Sequence, residues 1–242
     1  MIKTSKKGLG AIFVASVLAA TVISPLNAAV AKTLSPRQIN EKATSALTSN
    51  GTLIYAVNQV PDNYNTSHID GNEAGDGYMQ STALPGAWII DKYGDFVLDT
   101  NYVTKAVVTK TSPQTITYTL NPKAKWSDGK AVGLADWVGM WKANNGSDTK
   151  YEVVSTTGYE DIQSVAKGKG ANDIVVTFKK TYADWQGLFG GVLPAAVTAT
   201  PEAFNTSWKT APKVSAGPFK YSSTDNTAKT VTYVRNTAWW GA

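Results

Sequence analysis

The segment Tyr118-Thr-Leu-Asn-Pro-Lys-Ala-Lys-Trp-Ser-Asp-Gly-Lys-Ala-Val-Gly-Leu-Ala-Asp136-Trp137 limits what this chain can fold into more than any other. Thr115 to Leu120 alternates β-branched and aromatic residues with other side chains, which is the period of a half-buried strand. Asn121-Pro122 ends that strand, because proline lacks the amide hydrogen a ladder needs. Ser127-Asp128-Gly129 supplies turn chemistry, with glycine free to take a positive φ. Asp136 onward reads as a short helix that places Trp137, Met140 and Trp141 on one face. Strand, turn and helix in this order make a mixed α/β unit, and no acid, base or nucleophile within it is arranged for chemistry.

The remaining pattern is of the same kind. Thr52 to Val57 (Thr-Leu-Ile-Tyr-Ala-Val) reads as a buried strand that stops at the turn-rich loop Asn58 to Asn65. Asp70 to Gly77 reads as a Gly/Asp/Asn loop and Tyr78 to Ala87 as a short helix. Ala87 to Asp91 and Phe96 to Asp99 flank a hairpin turn at Gly94. Tyr102 to Lys110, Thr115 to Leu120, Asp173 to Lys179 and the pair Lys220-Tyr221 with Thr230 to Arg235 are further strands, and Tyr159 to Val165 leads into the Lys167-Gly-Lys-Gly170 loop. Asp184 to Phe189 is helical in tone. Thr200 caps a helix with Pro201 in its first turn. No internal repeat is present.

Lys3, Lys6 and Lys7 precede an apolar run from Gly8 to Ile23, and Ala29-Val30-Ala31 fits a small-x-small cleavage site. The run is shorter than the about 20 apolar residues a membrane span requires. Residues 1–31 are thus expected to be a cleaved export signal, with a mobile polar entry over 32–50. The chain has no cysteine, so it has no disulfide framework and no lipid-bearing thiol at the cleavage point. The expectation is a periplasmic, extracellular or cell-surface protein that is not a lipoprotein. Of 23 basic residues, three lie in the signal, leaving 20 against 18 acidic, a net +2. That balance carries no nucleic-acid footprint, which takes a clustered basic stripe. The 8 Trp, 11 Tyr and 6 Phe suit either a large core or a binding cleft, and burial of aromatics favours the core.

Chemistry is poorly supplied. The single histidine lies in Ser67-His68-Ile-Asp70, and a catalytic triad converges from separate elements rather than from neighbours in one loop. A solvated loop histidine is expected. Asp70-Gly-Asn72-Glu73-Ala-Gly75-Asp76 has Ala74 and Ser81 where a calcium loop needs its fifth and twelfth ligands. Zinc lacks ligands, and Lys167-Gly-Lys-Gly170 lacks the context of a phosphate loop. No catalytic residue, metal site or cofactor is assigned. A secreted hydrolase is disfavoured by the lone histidine. A carbohydrate-binding or adhesion module would need its Trp residues on one flat exposed face.

Five blocks carry a resemblance. Lys125-Trp-Ser-Asp-Gly129 through Asp136-Trp137 resembles the strand–turn–helix signature of the bacterial extracellular solute-binding proteins, the oligopeptide- and dipeptide-binding family of ABC importers. Gly133 and Leu134 depart mildly from it. Thr157-Gly-Tyr159-x-x-Ile162, Tyr182-Ala-Asp-Trp185-x-x-Leu-Phe189 with Leu193-Pro194, Ser215-Ala-Gly-Pro-Phe219, and Val234-Arg-Asn236-x-x-Trp239-Trp-Gly241 are similar to further blocks of the family in the same order, with Thr237 replacing a common proline.

The resemblance implies a periplasmic-binding-protein-like type II lobe, mixed α/β (α+β), incomplete, with an inserted mixed α/β domain. It implies lobe I over 51–76 and 181–242, the insertion over 77–180, and truncation before the second lobe, since family members are about twice this length or more. It implies a monomer that binds an oligopeptide or other small solute between lobes, without chemistry, for ABC permease subunits in the membrane. An inert fragment of such a protein is the alternative. The positions expected to meet ligand, largely through main-chain groups, are Asn58, Gln59, Val60 and Pro61 after the first strand, Ser215, Ala216 and Gly217 at the late turn, and Tyr151.

Overall fold

The computed structural model describes residues 44–46, 50–91 and 93–241. The expected signal and nearly all of the polar entry lie outside them. The chain divides into two units, 1–46 and 47–242. Of the first, Thr44–Ala46 is a single 3-10 turn. Everything below concerns the second.

Its centre is a four-stranded antiparallel sheet in the order β3-β4-β6-β5, built from β3 (Val103–Thr111), β4 (Gln114–Leu120), β5 (Ile162–Lys167) and β6 (Asp173–Phe178). Alternation fixes the register: Ile116 faces Val176 and Tyr118 faces Ile174. All four are buried, so a one-residue slip would turn this set out to water. Helix α2 (Leu134–Asn144) covers that face. The Trp137 ring lies 4.8 Å from Tyr118 and stacks on Phe189 at 4.3 Å. The core reading of the aromatics therefore holds for Trp126, Trp137 and Trp208, all at most 4% exposed.

Around this sheet lie the hairpin β1 (Trp88–Ile90) with β2 (Phe96–Leu98), helices α3 (Ala195–Thr198) and α4 (Pro201–Thr206), and the hairpin β7 (Phe219–Asp225) with β8 (Thr230–Arg235). Gly94 (φ 88°) and Gly129 (φ 87°) hold the two turns read from sequence. Thr200 Oγ1 accepts from the Ala203 amide at 3.1 Å, the expected cap.

Three sequence expectations change. Residues 52–57 form no strand, and Leu53 and Ile54 are 86% and 90% exposed. A strand is made by its partner's hydrogen bonds, and no described strand pairs with this segment. The helix expected over 78–87 is instead α1 (Ala74–Ser81), so half of the expected Gly/Asp loop is helical. Gly75 and Gly77 each cost a helix about 1 kcal/mol relative to alanine. The segment is helical nonetheless, with Asp76 and Gln80 buried on its inner face. Finally, His68 is not solvated: it is 2% exposed. Its Nδ1 accepts from the Asp70 amide at 3.0 Å, which leaves Nε2–H to donate to Glu152 at 3.1 Å. The ring thus ties the loop to residues 152–153, alongside the His68–Val153 bridge.

Candidate functional site

The sequence blocks meet one another. The Ser127 amide donates to Ser215 O at 2.7 Å, and the Ser215 amide donates back to Ser127 Oγ at 3.1 Å. Asp136 Oδ2 accepts from the Gly133 amide at 2.8 Å and the Trp126 indole at 3.3 Å, while Oδ1 accepts from the Ala195 amide at 2.7 Å. Burial nevertheless raises this carboxyl above its ordinary range, against those three donors. The Phe189 amide donates to the Tyr159 hydroxyl at 2.9 Å, and burial pushes that phenol up to about 12. Asn236 Nδ2 donates to Gly217 O at 2.9 Å. The polar atoms of these blocks hold loops together.

The same bonds decide the place of Ser215, Ala216 and Gly217. All three are buried. Ala83 O receives the amides of Ala216 (2.8 Å) and Gly217 (3.1 Å) and also Ser215 Oγ (3.0 Å). Ala216 O accepts from Tyr102 Oη at 3.1 Å. A Cβ added to Gly217 would sit 2.0 Å from Thr82 O. These main-chain groups dock the turn onto the end of α1. Tyr151 is likewise engaged: its hydroxyl donates to Thr198 O at 3.0 Å and its ring stands edge-on to Phe204 at 5.4 Å.

Asn58, Gln59, Val60 and Pro61 are placed differently. Asn58 and Gln59 are exposed, Val60 half-buried and Pro61 buried. Asn58 and Gln59 line a cleft of about 160 Å³ with Glu73, Ala74 and Gly75. The loop is fixed beyond the cleft by buried Asn63 and Asn65, whose amides donate to Asn205 O (3.0 Å) and Phe204 O (2.9 Å). Before it, the chain crosses the first turn of α1 closely, since a Cβ on Gly75 would lie 2.9 Å from Val57 Cβ. Gln59 Nε2 donates to Glu73 Oε1 at 2.6 Å across the cleft.

Glu73 occupies the N-cap of α1 and makes no side-chain cap bond. A helix start leaves its first amides without intrahelical partners, so the cleft floor carries main-chain donors beside a carboxylate. Burial raises the Glu73 carboxyl, Asp62 and Asp70 add to that, and the Gln59 bond opposes it. Hence the cleft has one acidic side chain, the two side-chain amides of Asn58 and Gln59, and backbone donors, suited to an extended polar ligand. Sequence reasoning missed Glu73, Ala74 and Gly75 because it read them as a loop; the Gly spacing gave no helical signal.

A second cleft, of about 170 Å³, lies at the end of the central sheet between Pro122, Val132, Leu134 and Lys167, and no candidate residue lines it. Among the described residues no group of three His, Cys, Asp or Glu is placed to hold a metal, and no helix is long and apolar enough to cross a membrane.

Motif residues thus bond loop to loop, and an open polar cleft lies at the end of the pinned loop. Residues 101–242, more than half of the chain, match the family model described as bacterial extracellular solute-binding proteins, family 5, middle region, and the chain belongs to that family. The oligopeptide-binding protein OppA of Mycobacterium tuberculosis is 43% identical over 207 residues, covering 84% of this chain and 35% of that protein. An uncharacterized lipoprotein of Mycobacterium leprae, ML0489, is 28% identical over 222 residues, covering 79% of this chain and 40% of its own. Among solved structures, the periplasmic EDTA-binding protein EppA superimposes with a TM-score of 0.71 at 26% identity, over 77% of this chain and 36% of that one. The chain thus spans about a third of the length of OppA, with the mixed α/β architecture of the periplasmic binding proteins.

Proposed function

We propose that the chain is the substrate-recognising part of an ABC-type importer and takes a peptide, or a small solute of similar polarity, at the Asn58–Gln59–Glu73 cleft. Family membership with 43% identity to an oligopeptide-binding protein carries this reading. The cleft supports it chemically, since main-chain donors at a helix start and a Gln–Glu pair suit a peptide backbone and its amino group. Ligand is held without covalent chemistry and is enclosed by hinge closure of lobes. In this reading 51–76 and 181–242 belong to one lobe and 77–180 to an insertion. The protein works outside the cytoplasm as a monomer, and without a cysteine it carries no thiol-linked lipid. The burial of Trp126, Trp137 and Trp208 speaks against a flat aromatic platform for carbohydrate.

The test is thermal unfolding of the purified chain with and without a pool of tri- to nonapeptides, repeated for Glu73→Gln and Gln59→Ala. A ligand that binds only the native state adds about 2.7 kcal/mol at 100 times its Kd. A raised midpoint that both substitutions reduce is expected. A midpoint indifferent to peptide would refute the assignment to this chain, and a shift untouched by either substitution would refute the cleft.

A further inference from the structure

Helix α1 carries a buried polar pair that none of the foregoing explains. Asp76 is 0% exposed and Gln80, one turn later on the same face, is 2% exposed. Gln80 Nε2 donates to Asp76 Oδ1 at 3.3 Å and approaches the Tyr233 hydroxyl at 3.5 Å. Those contacts take up both amide hydrogens. Two oxygens remain, Asp76 Oδ2 and Gln80 Oε1, and neither has a hydrogen-bond partner. Both are acceptors if the acid is ionised, so neither can satisfy the other. Buried acceptors left in this state are costly.

A single proton changes the count. On Asp76 Oδ2 it becomes a donor for Gln80 Oε1, while Gln80 Nε2 continues to donate to Oδ1. Acid and amide then bond reciprocally and both unpartnered oxygens are satisfied. We propose that the folded protein holds a proton on Asp76, closing this acid–amide pair, and that its loss loosens the junction between α1, the 58–65 loop and the β7–β8 hairpin.

The groups around the pair support a neutral acid. Glu73 lies one turn earlier on the chain, Tyr64 faces the pair from the loop, and Tyr233, with Tyr221 beside it, faces it from the hairpin. Each would add repulsion if ionised, and burial is the largest influence on Asp76, placing its midpoint at about 7 rather than 3.8. The junction is otherwise well made: Tyr64 and Tyr221 both meet Thr224 Oγ1, at 2.7 and 3.0 Å, and their rings stand edge to face at 5.6 Å. The unpartnered oxygens are therefore local to the Asp76–Gln80 pair.

The experiment follows the Asp76 carboxyl carbon by ¹³C NMR in the full chain from pH 4 to 9, assigned through its own backbone. A midpoint between about 6 and 8 is expected; one below 5 overturns the proposal. Asp76→Asn supplies the same donor without a titrating proton. It is expected to abolish the fall in thermal midpoint expected of the natural protein as pH rises from about 4 to about 7. An Asp76→Asn variant that keeps that fall overturns the proposal too, and should the variant not fold, the NMR midpoint decides alone. Neither readout uses a ligand, so failure here is separate from failure of the solute-binding assignment.

Discussion

Replacing Gly217 with alanine separates packing from binding at the late turn. A Cβ there would meet Thr82 O at 2.0 Å, Thr82 C at 2.6 Å and Ala83 Cα at 2.9 Å. All three are backbone atoms, so no side chain can swing away, and the turn must retreat by about 1.4 Å to reach ordinary contact. That retreat strains the bonds joining the turn to α1: Ala216 N to Ala83 O (2.8 Å), Gly217 N to Ala83 O (3.1 Å) and Phe219 N to Thr82 O (3.3 Å). It also pulls Gly217 O from Asn236 Nδ2 (2.9 Å). At about 1 kcal/mol for each of the four bonds weakened, plus about 1–3 kcal/mol for overpacking, Gly217→Ala should cost about 5–7 kcal/mol. For a chain of this size that lowers the melting midpoint by roughly 10–28 °C. The control is Gly187→Ala, where an added Cβ meets nothing within 4 Å, and a change within about 0.5 kcal/mol is expected. Urea unfolding of both variants makes the measurement. A Gly217→Ala loss below about 1 kcal/mol, or one equal to the control, would refute the close-packing argument. Unchanged stability with weakened peptide binding would instead return Gly217 to the ligand site.

Three further outcomes are expected. Trp137→Ala removes a fully packed ring stacked on Phe189 and should cost about 3–5 kcal/mol in urea unfolding, with loss of the near-ultraviolet dichroism of that pair. Thr200→Ala removes the α4 cap bond to Ala203 and should cost about 1 kcal/mol, restored by Thr200→Ser. Asp76 sets a pH dependence whose sign follows from its raised midpoint. Its contribution is fully present below about 4, falls as pH rises, and levels above about 7. At 1.36 kcal/mol per tenfold change in proton affinity, a move from 3.8 to about 7 is worth at most about 4 kcal/mol, measurable as unfolding free energy from pH 4 to 9.

How much of this was legible depended on whether the determining interaction was local. The β4–turn–α2 segment read correctly because period, proline and glycine agree over adjacent residues, and Gly129 does take a positive φ. The Thr200 cap read correctly for the same reason. Residues 52–57 did not, because a short apolar run states that a segment suits a buried strand and says nothing of whether a partner strand lies beside it. Nor did α1, whose two glycines argue against helix while its inward Asp76 and Gln80 find their reasons in Tyr233, over 150 residues away. His68 misled in the same way: its partner Glu152 lies 84 positions on.

The candidate site divides along that line as well. Loop positions 58–61 could be proposed because a loop at the end of an extended segment is a common ligand position in α/β folds. Their opposite wall, Glu73 to Gly75, depended on a helix that only tertiary burial creates. Residues 215–217 drew attention through a Gly-Pro turn whose sequence is equally compatible with two roles. Three donors converging on Ala83 O, and a glycine with no room for a methyl group, distinguish them. The blocks that most strongly mark this family are therefore those that bond loop to loop, as Asp136 joins Trp126 and Gly133 to Ala195. Under the proposed function, recognition rests with residues outside them. A family whose shared motifs build the frame can change ligand by altering cleft residues such as Gln59 and Glu73 while the frame is kept.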